Sequence, residues 1–267
     1  MHQAAVLSDS VLNRWTALLA SRTGVCVTPA WEGHVRRVLS HRLMQPVAAG
    51  SDGVRAWWRE LLDQLLIRET AFFRHRPSFD YLAEQLRDLS VTAEPITLWS
   101  AGCASGEEAY SMAATAARIL PTSRFRIVAT DLSAAALTKA GAAVYAAEQL
   151  DGLTADERAC FAPAGDERVR VSAALRRRVA CVPLNLMARR WPAALRQVDA
   201  IFCQHVLVYF GAEQRMKLLA RFARCLKPGG RLVLGPGEYL GSSPDGLRRD
   251  HNRDVLAFVR TTGAGGR

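Results

Sequence analysis

Lysine is nearly missing from this 267-residue chain: it stands only at 139, 217 and 227, among 35 basic residues that are otherwise arginine. The net charge of +10 would suit a nucleic-acid partner, but the arginines are spread along the chain, denser only at Arg36, Arg37 and Arg42 and from Arg168 to Arg178. An arginine bias in an alanine-rich chain reads as compositional. The chain lacks the Asn/Asp-Pro-Pro-Tyr/Phe motif and the Pro-Cys nucleophile of nucleic-acid methyltransferases, so no nucleic-acid partner is expected. No apolar run reaches bilayer length, and residues 1–10 lack the basic start and apolar core of a signal peptide. A cytoplasmic location without membrane insertion is expected. Cysteines at 26, 103, 160, 181, 203 and 225 never form Cys-x-x-Cys, and the six histidines are dispersed. Free thiols are expected, with neither a disulfide frame nor a metal site. A Ser–His–Asp or Cys–His arrangement is also missing.

What is present centres on Ile96 to Ala114, where an apolar run breaks at Gly102 and Gly106 and restarts at helical spacing. This reads as strand, tight turn and helix. The glycines permit a sharp turn and close approach of a ligand, while the helix from about Glu107 directs unpaired N–H groups into the same space. The Gly-x-x-x-Gly spacing is not the dinucleotide fingerprint, and Glu107 and Glu108 would repel a pyrophosphate. A cation bearing free hydroxyls fits better, and S-adenosylmethionine has a sulfonium, an ammonium and a ribose diol. The two acids can equally serve only to complement the helix dipole.

Residues 11–90 read as helical, with apolar residues at helical spacing from Val11 to Leu19, Val35 to Leu43 and Val54 to Leu66, and Ser90 to Pro95 as the exit. Strands then alternate with helices: 96–100, 124–130, 178–183, 198–203, 231–234 and 255–259, with helices near 107–119, 133–142 and 213–226, the last stopped by Lys227-Pro-Gly-Gly230. Residues 261–267 read as a frayed tail. The expected fold is α/β, a doubly wound, mainly parallel sheet, behind a small all-helical domain. The domains are expected at 1–90 and 91–267. The interval from about 143 to 177 is too long for one helix and reads as a small β insertion.

In open parallel sheets ligands bind at the carboxyl ends of the strands. The Gly102–Gly106 turn with Glu107, Asp131 after strand two, Asn185 and Leu186 after strand three, and Gln204 and His205 after strand four fall there. Asp131 could accept from both ribose hydroxyls, or cap the next helix with Ser133. Asn185 could read an adenine edge, or be a turn residue. Methyl transfer from a sulfonium is an in-line displacement that asks mainly for positioning, and a carboxylate acceptor is already ionised at neutral pH. No metal is required.

The segments Glu69-Thr-Ala-Phe-Phe-Arg74, Trp99-Ser-Ala-Gly-Cys-Ala-Ser-Gly-Glu-Glu-Ala-Tyr-Ser111, Ala129-Thr-Asp-Leu-Ser133, Leu184-Asn-Leu186, Phe202-Cys-x-x-Val-x-Val-Tyr-Phe210 and Leu226-Lys-Pro-Gly-Gly230 resemble, in order, the motifs of CheR-type chemotaxis receptor methyltransferases. The resemblance spans about Leu12 to Val259. It implies a class I S-adenosylmethionine methyltransferase fold, and methyl transfer to receptor glutamates with S-adenosylhomocysteine as product. It implies cofactor contacts by Thr70, Arg74, Glu107, Asp131, Asn185 and Leu186. Thr70 and Arg74, one helical turn apart, would share a pocket. Arg74 would hold the methionine or the substrate carboxylate, with Tyr209 near the methyl. It also implies that the basic helix at residues 32–43 lies against an acidic helix of the chemoreceptor's cytoplasmic domain. A monomer is expected.

This chain has Arg68 where the family usually has Asn, Ala109 where it has Pro, and Gln204-His205 where it has Arg-Asn. The insertion is short and has no Gly-rich hairpin, which argues against binding a receptor's C-terminal peptide. The departures at Arg68 and at Gln204-His205 leave an alternative, a non-catalytic S-adenosylmethionine sensor or docking module of the same fold. A nicotinamide dehydrogenase lacks its glycine fingerprint here.

Overall fold

The computed structural model describes residues 7–47, 50–66, 69–238, 244–251 and 254–261. Arg68 and the tail beyond 261 lie outside them. Four helices come first: α1 (Asp9–Thr23), α2 (Pro29–Arg42), α3 (Gly50–Leu65) and α4 (Arg76–Ser90). Gly24, at φ 78°, closes α1 by donating its N–H to Ala20 O. Pro29 opens α2 where a missing N–H costs nothing. Trp57, Leu61, Leu62 and Leu65 form the buried stripe of α3.

The stretch from Thr70 to Arg74, expected as one helical turn, is a non-helical turn instead. Phe73 adopts φ 50°, and both rings turn inward. Phe72 packs edge-on against Tyr145 and Phe161, and Phe73 against Phe79.

The sheet begins with β1 (Ile96–Ala101), helix α5 (Glu107–Ala117), β2 (Phe125–Asp131) and α6 (Ala134–Ala142). An inserted, separate antiparallel sheet follows: β3 (Val144–Ala146), β4 (Phe161–Pro163) and β5 (Arg168–Val171), in the order β3-β5-β4, with short helices α7 (Ala155–Arg158) and α8 (Ala173–Arg176). The main sheet resumes with β6 (Val179–Pro183), β7 (Val198–Cys203), α9 (Ala212–Cys225), β8 (Leu226–Leu234), β9 (Leu247–Arg249) and β10 (Leu256–Arg260).

Its order is β6-β2-β1-β7-β8-β10-β9, parallel as far as β8, with β10 antiparallel to both β8 and β9. Strand β9 has no counterpart in the sequence reading. Lys227-Pro-Gly-Gly230 also differs from expectation, since it bulges within β8 after the helix has ended at Cys225. The pairing with β7 jumps from Val198↔Leu226 to Ala200↔Arg231. The bulge brings Lys227 Nζ to buried Asp199 at 2.8 Å, and the other oxygen of Asp199 accepts the Thr97 N–H.

Helices α1 to α3 and α9 share one continuous apolar core with one face of the sheet. Helices α4 and α5 and the insertion pack on the other face. In the first core Trp99, Trp191 and Phe222 stack on one another at 5.0–5.4 Å between ring centroids. Phe222 is fully buried there. Phe222→Ala is expected to cost about 3–5 kcal/mol, read as a lowered urea midpoint at unchanged slope.

Candidate active site

Strand order reverses between β2-β1 and β1-β7, which opens a crevice at the carboxyl end of β1. A cavity of about 240 Å³ lies there. Thr70, Arg74, Gly102, Asp131, Asn185, Leu186, Gln204, His205 and Tyr209 line it, so residues far apart in sequence and predicted for one site do meet. Thr70 and Arg74 reach it from the turn just described.

Glu107 was expected at the cofactor but is not among the lining residues; Glu108 is. The Glu107 side chain is 2% exposed, and both its oxygens accept from Ser105 Oγ, with Gln149 Nε2 donating at 3.2 Å. Burial holds its carboxyl above the ordinary value, partly offset by those donors. It therefore ties the glycine turn to the insertion, where Tyr145 also donates to Ser105 O.

Glu108 is turned to the end of β1 and accepts from Ser100 Oγ at 2.6 Å. Burial raises its carboxyl to about 7, with nearby Glu238 adding to the rise while Ser100 and Arg74 oppose it. The sequence signal for this choice is slight. Adjacent residues differ by about 100° around a helix, and only the position of Ser100 says which faces the rim.

The glycines are required by geometry. At Gly102, φ 90°, an added Cβ would lie 2.3 Å from Val206 Cγ2; at Gly106, φ 100°, it would lie 2.9 Å from Ala140 Cβ. Asp131 Oδ2 accepts from Ala104 N and its Oδ1 from Ser133 N. The helix-capping contact foreseen for Ser133 is also present, since its hydroxyl accepts from Ala136 N. Asn185 spans two segments, its Nδ2 donating to Arg22 O at the end of α1 and its Oδ1 accepting from Met187 N.

Gln204 points toward α4, donating to Ser78 Oγ at 2.8 Å, and Ser78 lies 2.9 Å from His75 Nδ1. His205 sits at φ 61°, and burial together with Arg74 and His75 lowers its imidazole below the ordinary value. Burial, and secondarily Glu69, raises the Tyr209 phenol, so it stays protonated at neutral pH. Arg74 is exposed at the rim and donates to Glu69 O. Among the described residues no group of three or more His, Cys, Asp or Glu could hold a metal ion.

Acids and a guanidinium lining one cavity suit a ligand that carries both a cation and a carboxylate. Glu108 forms no ion pair within the chain among the described residues, as expected of an acid that meets a ligand's positive charge. Residues 68–253 match the family model "CheR methyltransferase, SAM binding domain". "Chemotaxis protein methyltransferase 1" of Vibrio cholerae is 37% identical over 91% of this chain and 94% of its own length. The "Chemotaxis protein methyltransferase" of Vibrio parahaemolyticus is 34% identical over the same shares, and that of Escherichia coli K12 is 30% identical over 89% and 87%. Fold and site define an S-adenosylmethionine-dependent methyltransferase with a class I α/β sheet. The chain belongs to the CheR methyltransferase family.

The folded protein holds a proton on Glu108 up to about pH 7, whereas the unfolded chain releases it near 4.5. Stability is therefore lost as pH rises through that window. Glu108→Gln removes this loss, and its stability relative to the parent should rise by about 1–3 kcal/mol between pH 5 and pH 8, read by urea unfolding at both.

Proposed function

We propose that this enzyme is cytoplasmic and transfers the methyl group of S-adenosylmethionine to glutamate side chains on the helical cytoplasmic domain of a chemoreceptor, giving glutamyl methyl esters and S-adenosylhomocysteine. The names of its relatives support the receptor as acceptor. The observation that carries the chemistry is Arg74, the guanidinium at the rim of a cavity that the protonated Tyr209 phenol also lines.

The cofactor supplies an electrophilic methyl on a sulfonium, an excellent leaving group. Glu108 faces the cationic amino acid portion of the cofactor, in place of the Glu107 contact that the resemblance implied. Asp131 receives the ribose hydroxyls, Asn185 and Leu186 meet the adenine, and Thr70, Gly102, Gln204 and His205 complete the walls. Arg74 aligns a carboxylate and Tyr209 stands beside the methyl. The acceptor is already an anion, so no side chain need remove a proton; the protein's contribution is orientation and a shielded electrostatic setting.

Residues 1–90 act in this reading as the docking unit and 91–267 as the transfer unit. On α2, Arg36 is engaged by Asp9, Glu32 and Leu7 O, and Arg42 by Glu60 and Gln45, which leaves Arg37 as its exposed guanidinium without a partner among the described residues. The docking surface for an acidic receptor helix therefore extends beyond α2 to the groove between α1 and α3. There Arg22 lies over Trp58 and Arg55 and Arg59 form the margin.

The second reading, a cofactor sensor without transfer, is favoured by Gln204 turning its amide to Ser78 where the family usually has arginine. The two readings separate when radiolabelled S-adenosylmethionine is incubated with receptor-bearing membranes from the source organism. Alkali-labile label in the receptor band supports transfer; tight calorimetric binding of S-adenosylhomocysteine with no label supports the sensor. Arg74→Ala should abolish labelling, and retained full labelling removes its role. Asp131→Ala should weaken S-adenosylhomocysteine binding by roughly tenfold or more, the loss of a buried charge-assisted hydrogen bond.

A further inference from the structure

The segment after β7, residues 204–210, forms one wall of the cavity yet has little regular structure beyond a single 3₁₀ turn at Leu207–Tyr209. It also contains an unfavourable backbone, since His205 adopts φ 61°. Something must hold it, and within the segment there are few candidates: Tyr209 N donates to Val206 O and Phe210 N to Leu207 O.

The support comes from the end of β8. The Glu238 side chain is 2% exposed. Its Oε2 accepts from His205 N at 3.0 Å and Gly235 N at 2.8 Å, and its Oε1 accepts from Leu207 N at 2.8 Å. The Val208 N–H faces the same carboxylate. No Lys or Arg forms an ion pair with it among the described residues, so backbone N–H groups are its hydrogen-bond partners. Gly235 is part of the same device: a Cβ there would lie 2.8 Å from His205 N, 2.9 Å from Glu238 Oε2 and 3.3 Å from His205 Nδ1.

We infer that Glu238, through Gly235, is a positioning residue of the methyltransferase: its carboxylate clamps the backbone of residues 205–208 so that His205 and Tyr209 are presented to the cavity. A buried carboxylate that accepts several N–H groups fixes their mutual geometry, as an oxygen anchor does at a helix cap. Glutamine is nearly isosteric but offers one acceptor oxygen and turns N–H donors toward N–H donors. The chain then has no means of holding both His205 N and Leu207 N.

The inference rests on the transferase reading only where turnover is measured, so its test has two independent arms. In the first, hydrogen exchange is followed by mass spectrometry on the full chain. The amides of His205, Leu207 and Val208 should be protected in the parent although they lie in a loop. In Glu238→Gln, peptides covering 204–210 should exchange roughly tenfold faster or more, while peptides from β1, β2 and β7 keep their protection. Gly235→Ala, which leaves the carboxylate in place but crowds it, should give the same local pattern.

In the second arm, kcat for label transfer to receptor-bearing membranes should fall by about tenfold or more in either variant, a larger loss than the weakening of S-adenosylhomocysteine binding measured on the same protein, because Asp131 and Asn185 belong to other parts of the wall. Unprotected 205–208 amides in the parent would overturn the clamp, as would unchanged exchange in both variants. Loss of protection across the whole sheet in both would reduce Glu238 to a general stability residue and equally overturn it. A parent that labels no receptor removes the transferase reading and leaves the exchange arm decisive by itself.

Discussion

The end of β2 holds the glycine turn, and the rest of the site is built outward from that attachment. Thr130 O accepts the N–H groups of Gly102 and Cys103 at 2.8 and 2.9 Å, and Asp131 Oδ2 accepts that of Ala104 at 2.9 Å. Two parallel strands are thereby tied beyond their last ladder pair, Ala101↔Thr130. With the turn fixed, α5 can start only in one direction, which sends Glu107 toward the insertion and Glu108 toward the cavity. The same turn presents the bare Cα of Gly102 to Val206, so the wall after β7 packs directly on it. A side chain at 102 would push that wall away, and with it His205 and Tyr209.

The electrostatics follow from this crowding. Glu107, Glu108 and Glu238 are withdrawn from bulk water, Glu108 within electrostatic reach of Glu238, and burial shifts all three upward. They differ in what satisfies them. Glu107 has Ser105 and Gln149, and Glu238 has backbone amides, whereas Glu108, among the described residues, has the Ser100 hydroxyl alone and lines the cavity. A carboxyl poised near neutrality and facing a cavity costs little to keep empty, because it can remain protonated, yet ionises when a cation arrives. Of the adjacent pair, Glu108 is the less satisfied and the one that lines the cavity.

Much of the strand and helix order was legible because apolar spacing and glycine punctuation are local signals: β1, β2, β7 and α9 begin within a few residues of expectation. The rim residues Asp131, Asn185 and Gln204 were legible for a topological reason, since each follows the carboxyl end of a parallel strand. What escaped depends on contacts across the chain. Phe72 and Phe73 lie in a turn at 70–74 with their rings 4.9–5.0 Å from those of Tyr145, Phe161 and Phe79, and the two partners of Phe72 are remote in sequence. The choice between Glu107 and Glu108 is a rotation set by Ser100 and Gln149. Glu238 follows Gly-Pro-Gly with nothing around it to mark function, and it acquires a role only because β8 lies beside β7.

The helical segment is more than an attachment to this sheet. Cys26 N donates to Tyr209 O at 2.7 Å, and Trp31, in the first turn of α2, stacks on the Tyr209 ring at 5.4 Å. Asn185 meanwhile holds Arg22 O, and Asp63 of α3 accepts from Ser133 at the start of α6. Thus α1 and α2 each brace a residue of the cavity wall, and α3 braces the start of α6. Packing this close couples the helices to the cavity wall. An outward shift of α2 would remove the ring that packs on Tyr209.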